Sequence, residues 1–518
     1  MVNTVVKLED VVIIMDSQSD QAGIAKEDIP MGTCLKYNED LIEIKDFIKK
    51  GHRFALDDIG KGEFVRQNGY PFGQSKGILK GEAITSLNID NVLPEIDLKD
   101  FSEPCKATFR ENYSNKTFSG FVRKNGTVGT RNYYLVVPTS MCVSETALQV
   151  SLSLDNNENI LKEYSNIDGV VAIPHTEGCG CASNFQIDRF LRVLKGYVAH
   201  PNVGGCLIID LGCEQTNYEK VHGYLKDIVD ENLKPLDWIT LQESGGTRAL
   251  QEKATSIIEN RLNEVNRVKR EAVPLEKLIV GTECGASDSF SGITANPVIG
   301  NTVDKIIYGG GSAILSEIPE MVGSFNMLYS RFRTLEIANK FNDLEKWDTT
   351  LAGNLGETLS DNLVPKNIEG GLFNNYIKSL GAVLKGGTSV IEDVIEYAEP
   401  VTQRGLSIMQ GPGGDLESVT GIVAAGANVI CFSTGYGATS GNAICPVIKI
   451  SSNNSTFEKL PEDIDCNAGK LLSEQVSIDE LGEELLEKVI TVVSGEKTWS
   501  EKWKQRQFQV WTAGKWPL

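Results

Sequence analysis

Histidine is scarce in this chain of 518 residues, which holds only His52, His175, His200 and His222. Scarcity gives each of them little room to be decorative, although a lone histidine is more often a surface or hydrogen-bonded core residue than a catalyst. No stretch approaches the roughly eighteen apolar residues that a membrane span requires. The opening MVNTVVKLEDVVIIMDSQSD lacks a basic start followed by a long apolar core. The chain reads as cytoplasmic, with no membrane partner. Positive charge is also short, with 50 Lys and Arg against 70 Asp and Glu, a net charge of -20 and no basic cluster. That balance repels a phosphate backbone and excludes nucleic acid as a partner. CxxC pairs and a GxxxxGK[ST] phosphate loop are both missing, which removes the standard zinc ribbon and the P-loop. Eleven cysteines are an odd number without an export signal, so reduced thiols used for metal or catalysis are expected over a disulfide framework.

What is present is an ordinary globular composition, 41% hydrophobic and 23% charged, long enough for two to four domains. Residues 1–92 carry short β-type runs punctuated by Gly turns and predict a small all-β domain. Residues 93–119 are polar and contain proline, as a linker would. From Gly120 onward apolar runs alternate with amphipathic stretches: YYLVVP, GVVAIPH, GGCLIIDLG, LDWITLQ and KLIVGTE, then GSAILSEIP, GLSIMQGP and GANVICFSTG. This is α/β grammar with mainly parallel sheets. It predicts one α/β domain over 120–270 and a C-terminal α/β domain over 271–518. The Trp-rich end, TWSEKWKQRQFQVWTAGKW, reads as packing or a subunit contact. A homodimer is the expected assembly, because symmetric dimers are the commonest.

Four cysteines each occupy a Gly-rich turn after an apolar strand: Cys142 in PTSMC, Cys179 in HTEGCG, Cys213 in IIDLGCE and Cys284 in IVGTECGASD. Ligands bind beyond the carboxyl ends of strands in such folds, so the four are expected to form one composite metal site. Buried cysteines packing as hydrophobes are the bland alternative. Soft thiolates favour iron, an iron-sulfur cluster or zinc, and a structural zinc site would leave catalysis independent of iron. The segment GTECGASDSFSGITANP adds Glu283, Ser287, Asp288, Ser291, Thr294 and Asn296, dense enough in donors and acceptors to hold a polyhydroxylated anion. In SIMQGPGGDLESVTG, Asp415 follows a Gly-rich turn and opens a helix. His175, four residues before Cys179, could ligate a metal or take a proton. His52 lies in KKGHRFALDDIGKGE of the β domain.

These motifs carry a resemblance that runs nearly end to end. The chain resembles the altronate and galactarate dehydratase family, with an N-terminal SAF-type β-clip domain, in GHRFALDDIGKGEFVRQNGYPFG, GFVRKNGTVGTRN, LGCE, ECGASDSFSGITANP, SEIPEM and DIDCNAG. The resemblance implies a hydro-lyase that removes water from a sugar acid to give a 2-keto-3-deoxy acid, using iron or another divalent metal. The family is also related to sulfolactate sulfo-lyases. On this reading the base is His175 or Asp288, with His52 a further catalytic candidate, and Arg131 or Lys449 pairs with carboxylates. Several positions depart from the family pattern. VVKLED and AITSLN stand where the family has histidines, and LVPKNIEGG replaces a PSPGNKxGG-like stretch. STGYGATSG places Tyr436 where an Arg usually stands. Loss of that guanidinium favours a monocarboxylate over a hexarate. A sulfite-releasing lyase and a non-catalytic sugar-acid-binding paralogue are the alternatives.

Overall fold

The computed structural model describes residues 5–94, 101, 104, 111–179, 185–228, 233–359 and 362–512. Most of the expected linker, Cys181 and Trp516 lie outside them.

Residues 5–90 form three small sheets with a single helical turn, Leu8–Val11. One turn recurs, with glycine at positive φ at Gly32, Gly51, Gly62 and Gly81. Twice an aspartate fixes a backbone amide 22 residues on: Asp28 accepts from Lys50 N and Asp58 from Lys80 N, each at 2.8 Å. Short strands joined by such turns bury one face each. Their cores, around Leu35, Ile42 and Phe54 and around Phe72 and Ile78, are correspondingly small.

Strand Thr117–Val122 enters the next domain and pairs antiparallel with Arg270–Pro274, which leaves it. The expected linker thus ends in a strand. Between them lies a four-stranded parallel sheet in the order Gly169–Ala172, Tyr133–Pro138, Val203–Asp210, Leu236–Thr240. Strands such as YYLVVP are buried along their whole length, as strands covered on both faces must be.

The C-terminal sheet has seven parallel strands, ordered Ile391–Ile395, Gly405–Met409, Ser312–Leu315, Ile279–Gly285, Val429–Thr434, Val447–Ser451, Cys466–Asn467. The first strand in sequence, Ile279–Gly285, stands in the middle. Later strands build outward on both sides of it, so a topological switch point lies at its carboxyl end.

Helices Phe185–Ala199 and Asp415–Ala424 pack between the two parallel sheets in one apolar cluster. Gly196 permits their close crossing, since a Cβ there would lie 2.3 Å from Ala424 O. The C-terminal segment straps this junction: Trp511 packs on Tyr397 and under the Arg189 guanidinium. The packing role expected for it holds for Trp511. No helix among the described residues is long and apolar enough to cross a membrane.

Candidate active site

The switch-point strand carries Glu283 and Cys284 at its end, and both are buried. From Gly285 the chain turns through Ala286 (φ 51°) into the Ser287–Thr294 loop, then enters helix Ala295–Tyr308. The neighbouring strand Ser312–Leu315 runs into Glu317 (φ 76°) and Glu320. Positive φ at a non-glycine residue costs on the order of 1–3 kcal/mol and persists only where the surroundings dictate it. Here two such residues flank one pocket.

The side chains form a buried acid–base network. Lys385 donates to Cys284 Sγ and to Glu317 Oε2, both at 2.7 Å. Cys284 donates to Glu320 Oε2 at 3.3 Å, and Lys378 lies 2.6 Å from Glu320 Oε1. Ser418 Oγ donates to Glu283 Oε2 at 2.6 Å. Glu283 Oε1 and Glu317 Oε1 are buried without a hydrogen-bond partner. These carboxyl groups are neighbours, so they must share a proton or a cation. Two ammoniums face Glu317 and Glu320, which leaves Glu283 to be held neutral. Burial and the nearby Glu317 push its carboxyl well above the usual range. Burial, then Glu320, push Glu317 up to about 7 despite Lys385. Burial also opposes the charge on Glu320, but Lys378 and Lys385 outweigh it and hold that carboxyl low.

Asp288 stands on the adjoining loop. Its Oδ1 accepts from Ser291 N and Oγ, each at 2.9 Å, and from Ser452 Oγ at 2.8 Å; its Oδ2 accepts from Asn453 Nδ2 at 3.1 Å. Burial raises its pKa and these donors only partly offset that. Ser287, Ser291 and Asn296 line the same cleft. Thr294 donates to Phe290 O and Ser452 O, which braces the loop. Asp415 opens its helix against Gly285, where a Cβ would lie 2.1 Å from Asp415 Oδ2. Burial and Glu320 raise the Asp415 carboxyl to about 6. Tyr436 sits at the rim, half exposed, its hydroxyl donating to Lys366 O at 3.1 Å.

The β domain closes the cleft. Arg53 donates through Nε to Gln67 and through Nη1 to Ser289 Oγ at 3.0 Å and Gly371 O at 2.7 Å. Burial lowers this guanidinium to about 9. His52 meets Glu369 O at 3.1 Å on the outer side of the same contact. Arg53, Cys284, Asp288 and Lys378 therefore share one cleft between two domains.

Lys449 is buried, its Nζ lies 3.4 Å from the centre of the Phe432 ring, and it has no hydrogen-bond partner. Burial lowers its pKa to about 7, against the pull of Asp415, Asp465 and Glu283. The unfolded chain therefore binds one more proton than the native one between about pH 7 and the ordinary lysine value, and stability rises with pH across that window. Lys449→Met should be more stable than the parent by on the order of 2 kcal/mol at pH 7, with the gap closing toward pH 10. Urea unfolding at the two pH values measures this; an equal or lower midpoint for the variant at pH 7 would contradict it.

Five expected site residues lie elsewhere. Arg131 is fully buried and committed: Nε and Nη2 bind Glu501 at 2.6 and 2.8 Å, and Nη1 and Nη2 bind backbone carbonyls. It anchors the C-terminal strap and cannot clamp a substrate. His175 uses both ring nitrogens on backbone, Nε2 at 2.8 Å from Pro138 O and Nδ1 accepting from Glu177 N at 3.1 Å. That corrects its expected role as base, since Nε2 carries the proton it donates to Pro138 O and the one lone pair, on Nδ1, is taken by Glu177 N. Cys142, Cys179 and Cys213 stand at the edge of the middle sheet, and only Cys284 belongs to this cleft. The expected four-thiol site is thus divided between two sheets. Sequence reasoning missed Arg53, Lys378 and Lys385, and passed over Glu317 and Glu320 inside SEIPEM, a motif already in view.

Comparison with known proteins matches this architecture domain by domain. Residues 11–92 match the Altronate/galactarate dehydratase SAF domain, 120–266 the second domain of D-galactarate dehydratase/Altronate hydrolase, and 275–516 the D-galactarate/Altronate dehydratase C-terminal domain. The chain belongs to the altronate/galactarate dehydratase family. It is 32% identical to an altronate dehydratase of Bacillus subtilis over 504 residues, 96% of this chain and 98% of that one. It is 31% identical to a galactarate dehydratase (L-threo-forming) of Escherichia coli over 479 residues, 90% of each. Similarity extends to a (2R)-sulfolactate sulfo-lyase subunit beta of Chromohalobacter salexigens, at 28% over 396 residues, 76% of this chain and 96% of that one. Those dehydratase relatives are hydro-lyases.

Proposed function

We propose that the chain is a metal-dependent sugar-acid dehydratase that converts a 2,3-dihydroxy acid to a 2-keto-3-deoxy acid in the cleft between the β and C-terminal domains. The observation that carries this reading is the buried Glu283–Glu317–Lys385 proton store beside Asp288, in a cleft also lined by two cations, Arg53 and Lys378.

The residues fit a divalent cation. Cys284, Glu317 and Glu320 offer ligand atoms within 4.8 Å of one another, and unpartnered carboxyl oxygens of Glu283 and Glu317 lie buried at the same place. These three side chains would hold the ion, which supplies Lewis-acid polarisation of a carboxylate and 2-hydroxyl. Arg53 and Lys378 attract and orient the carboxylate. Asp288, with a lone pair left on Oδ2, removes the C2 proton. Glu283, the carboxyl held neutral, passes its proton to the C3 hydroxyl, which departs as water. The resulting enol takes a proton at C3, releases the proton of its 2-hydroxyl and becomes the 2-keto-3-deoxy acid. Strand Ile279–Gly285 and its neighbours hold these groups rigid, as a site for a weakly acidic carbon requires.

The test is a 2-keto-acid assay over altronate, galactarate, related aldonates and sulfolactate, with sulfite followed in parallel. Keto acid without sulfite supports dehydration. Sulfite release assigns the sulfo-lyase reaction, and binding without turnover assigns a non-catalytic role. Tyr436 sets the rim where the family usually has an Arg, so Tyr436→Arg should raise the galactarate-to-altronate ratio of kcat/KM by about tenfold, the effect of one added charge-assisted contact. An unchanged ratio removes Tyr436 from substrate choice.

A further inference from the structure

The closed cleft is too small for a sugar acid. Its free volume is about 10 Å³, room for about one water molecule, whereas small-molecule pockets run to a few hundred Å³. A wall must move to admit an acid, and most of the walls are fixed. Strand Ile279–Gly285 is buried from Val280 onward near the centre of its sheet. The Asp288 loop is braced by Ser291, Ser452 and Asn453. Helix Asn375–Ala382, which carries Lys378, puts Ile377 and Leu380 into an apolar core of the β domain.

The wall that remains is 364–371, from the LVPKNIEGG stretch. It covers the Asp288 loop: a Cβ on Gly370 would lie 3.3 Å from Asp288 Cβ, and one on Gly371 2.6 Å from Ser289 Oγ. Val364, Pro365, Lys366, Ile368 and Glu369 are exposed, and among the described residues no side chain of 364–371 belongs to an apolar cluster. Hydrogen bonds clip the segment down instead. Tyr436 Oη donates to Lys366 O and His52 Nε2 to Glu369 O, each at 3.1 Å. Ser289 N donates to Gly370 O at 3.1 Å, Arg53 Nη1 to Gly371 O at 2.7 Å, and Asn367 Nδ2 reaches Ser287 O at 2.7 Å. Glycine lets the segment lie flat, since at Gly371 (φ 93°) a Cβ would lie 2.2 Å from Gly51 O.

We propose that residues 364–371 are the entry gate of the cleft and that His52 and Tyr436 are the positioning residues that latch it. His52 grips from the β domain and Tyr436 from the C-terminal sheet, both on backbone carbonyls that the reaction does not use. Opening also frees a substrate-binding group. In the closed state Gly371 O occupies Arg53 Nη1, so release of the gate turns that guanidinium toward an incoming carboxylate. Closure over the bound acid then excludes water. The gate rests on this cleft being where the acid reacts, as proposed above.

Hydrogen exchange of the ligand-free full chain, followed by mass spectrometry, reads the gate without turnover. Residues 364–371 and the Ser289 amide should exchange at least ~10-fold faster than strand Ile279–Gly285. His52→Ala and Tyr436→Phe should each speed that exchange by about three- to tenfold, the loss of one hydrogen bond, and leave the strand unchanged. Gly370→Ala should do the same, because its φ of -81° suits alanine and the new methyl, 2.6 Å from Tyr436 Oη, displaces that hydroxyl. A covalent lock supplies the functional arm. Lys49 Nζ and Glu369 Oε1 face each other across the gate at 4.0 Å, both exposed. A Lys49→Cys, Glu369→Cys pair bridged by a short bis-maleimide should turn over at least ~10-fold more slowly than the two single variants given the same reagent. Equal turnover of bridged and single variants would overturn the gate, and so would exchange at 364–371 as slow as in the strand. A fall in kcat of about 10²-fold for His52→Ala with parent-like exchange would overturn the latch and make His52 a catalytic residue. If the parent forms no keto acid, the dehydratase reading falls, and the exchange result still decides the gate.

Discussion

Lys385→Met should reduce kcat by at least ~10³-fold and lower unfolding stability by about 3–5 kcal/mol, the cost of breaking a buried ion pair from one side. Lys385 and Glu317 are both essentially inaccessible, at 0% exposure, and the ammonium touches both Glu317 and Cys284. Removing it leaves Glu317, Glu320 and Glu283 crowded with only Lys378 as counter-ion. The chain then responds by protonation. Glu317 already titrates near 7 against a usual value of 4.5, and loss of its cation moves it higher. A carboxyl raised in the native state contributes stability that is complete below the unfolded value and is lost as pH rises through the folded one. The variant should therefore lose more stability at pH 8 than at pH 5.5. Urea unfolding at both values, with keto-acid turnover alongside, measures the two effects. Two of the three side chains that would hold a divalent ion, Cys284 and Glu317, are also the partners of Lys385, so Lys385→Met should also bind such an ion more tightly than the parent. Parent-like stability at pH 8 would mean that Lys385 carries no charge in the folded chain.

The strands that define the fold were legible because they are apolar throughout. YYLVVP is strand Tyr133–Pro138, and the IVGTE of KLIVGTE opens strand Ile279–Gly285. Ile391–Ile395 was not, since IEDVI is the outermost strand of its sheet and carries two half-buried acids. Arg270–Pro274 was hidden for the same reason, its side chains mostly facing solvent. The site followed a similar rule. Cys142, Cys179 and Cys213 do lie beyond strands, whereas Cys284 falls within the last residues of strand Ile279–Gly285, and strand order, a tertiary fact, places it in a different sheet from the other three. Arg131 looked available because its partner, Glu501, is 370 residues away. Lys385 looked unremarkable in AVLKGG because a short 3-10 turn, Val383–Gly386, has no periodicity that betrays burial. Lone charged residues in apolar surroundings gave the better clue, and the neutralising partners of buried charges could be found only once the chain was folded.

Asp288→Asn should lower kcat by about 10²–10⁴-fold, the usual contribution of a general base, with little change in stability. The amide is nearly isosteric, and its oxygen can keep the contacts from Ser291 and Ser452, so the loop stays in place. The one contact that must adjust is Asn453, whose Nδ2 donates to Asp288 Oδ2 and would face an NH₂ group. Asn453 also donates to Gly435 O at 2.9 Å and accepts from Thr456 N through its own carbonyl, so its orientation is fixed. The mismatch costs a single hydrogen bond, on the order of 1 kcal/mol. What the variant loses outright is proton affinity. If Asp288 removes the C2 proton, exchange of that proton with deuterated solvent stops along with turnover, while KM changes little because Arg53 and Lys378 still bind the carboxylate. If Asp288 only braces the loop, Asp288→Asn retains both exchange and turnover within about tenfold, and the base must be sought in the Glu317–Lys385 pair. A kcat loss accompanied by a large rise in KM would instead make Asp288 a hydroxyl-binding group. The carboxylate's position makes the first outcome the expected one. It is buried, raised above its ordinary pKa, and set in the same cleft as the two cations that bring the substrate acid in.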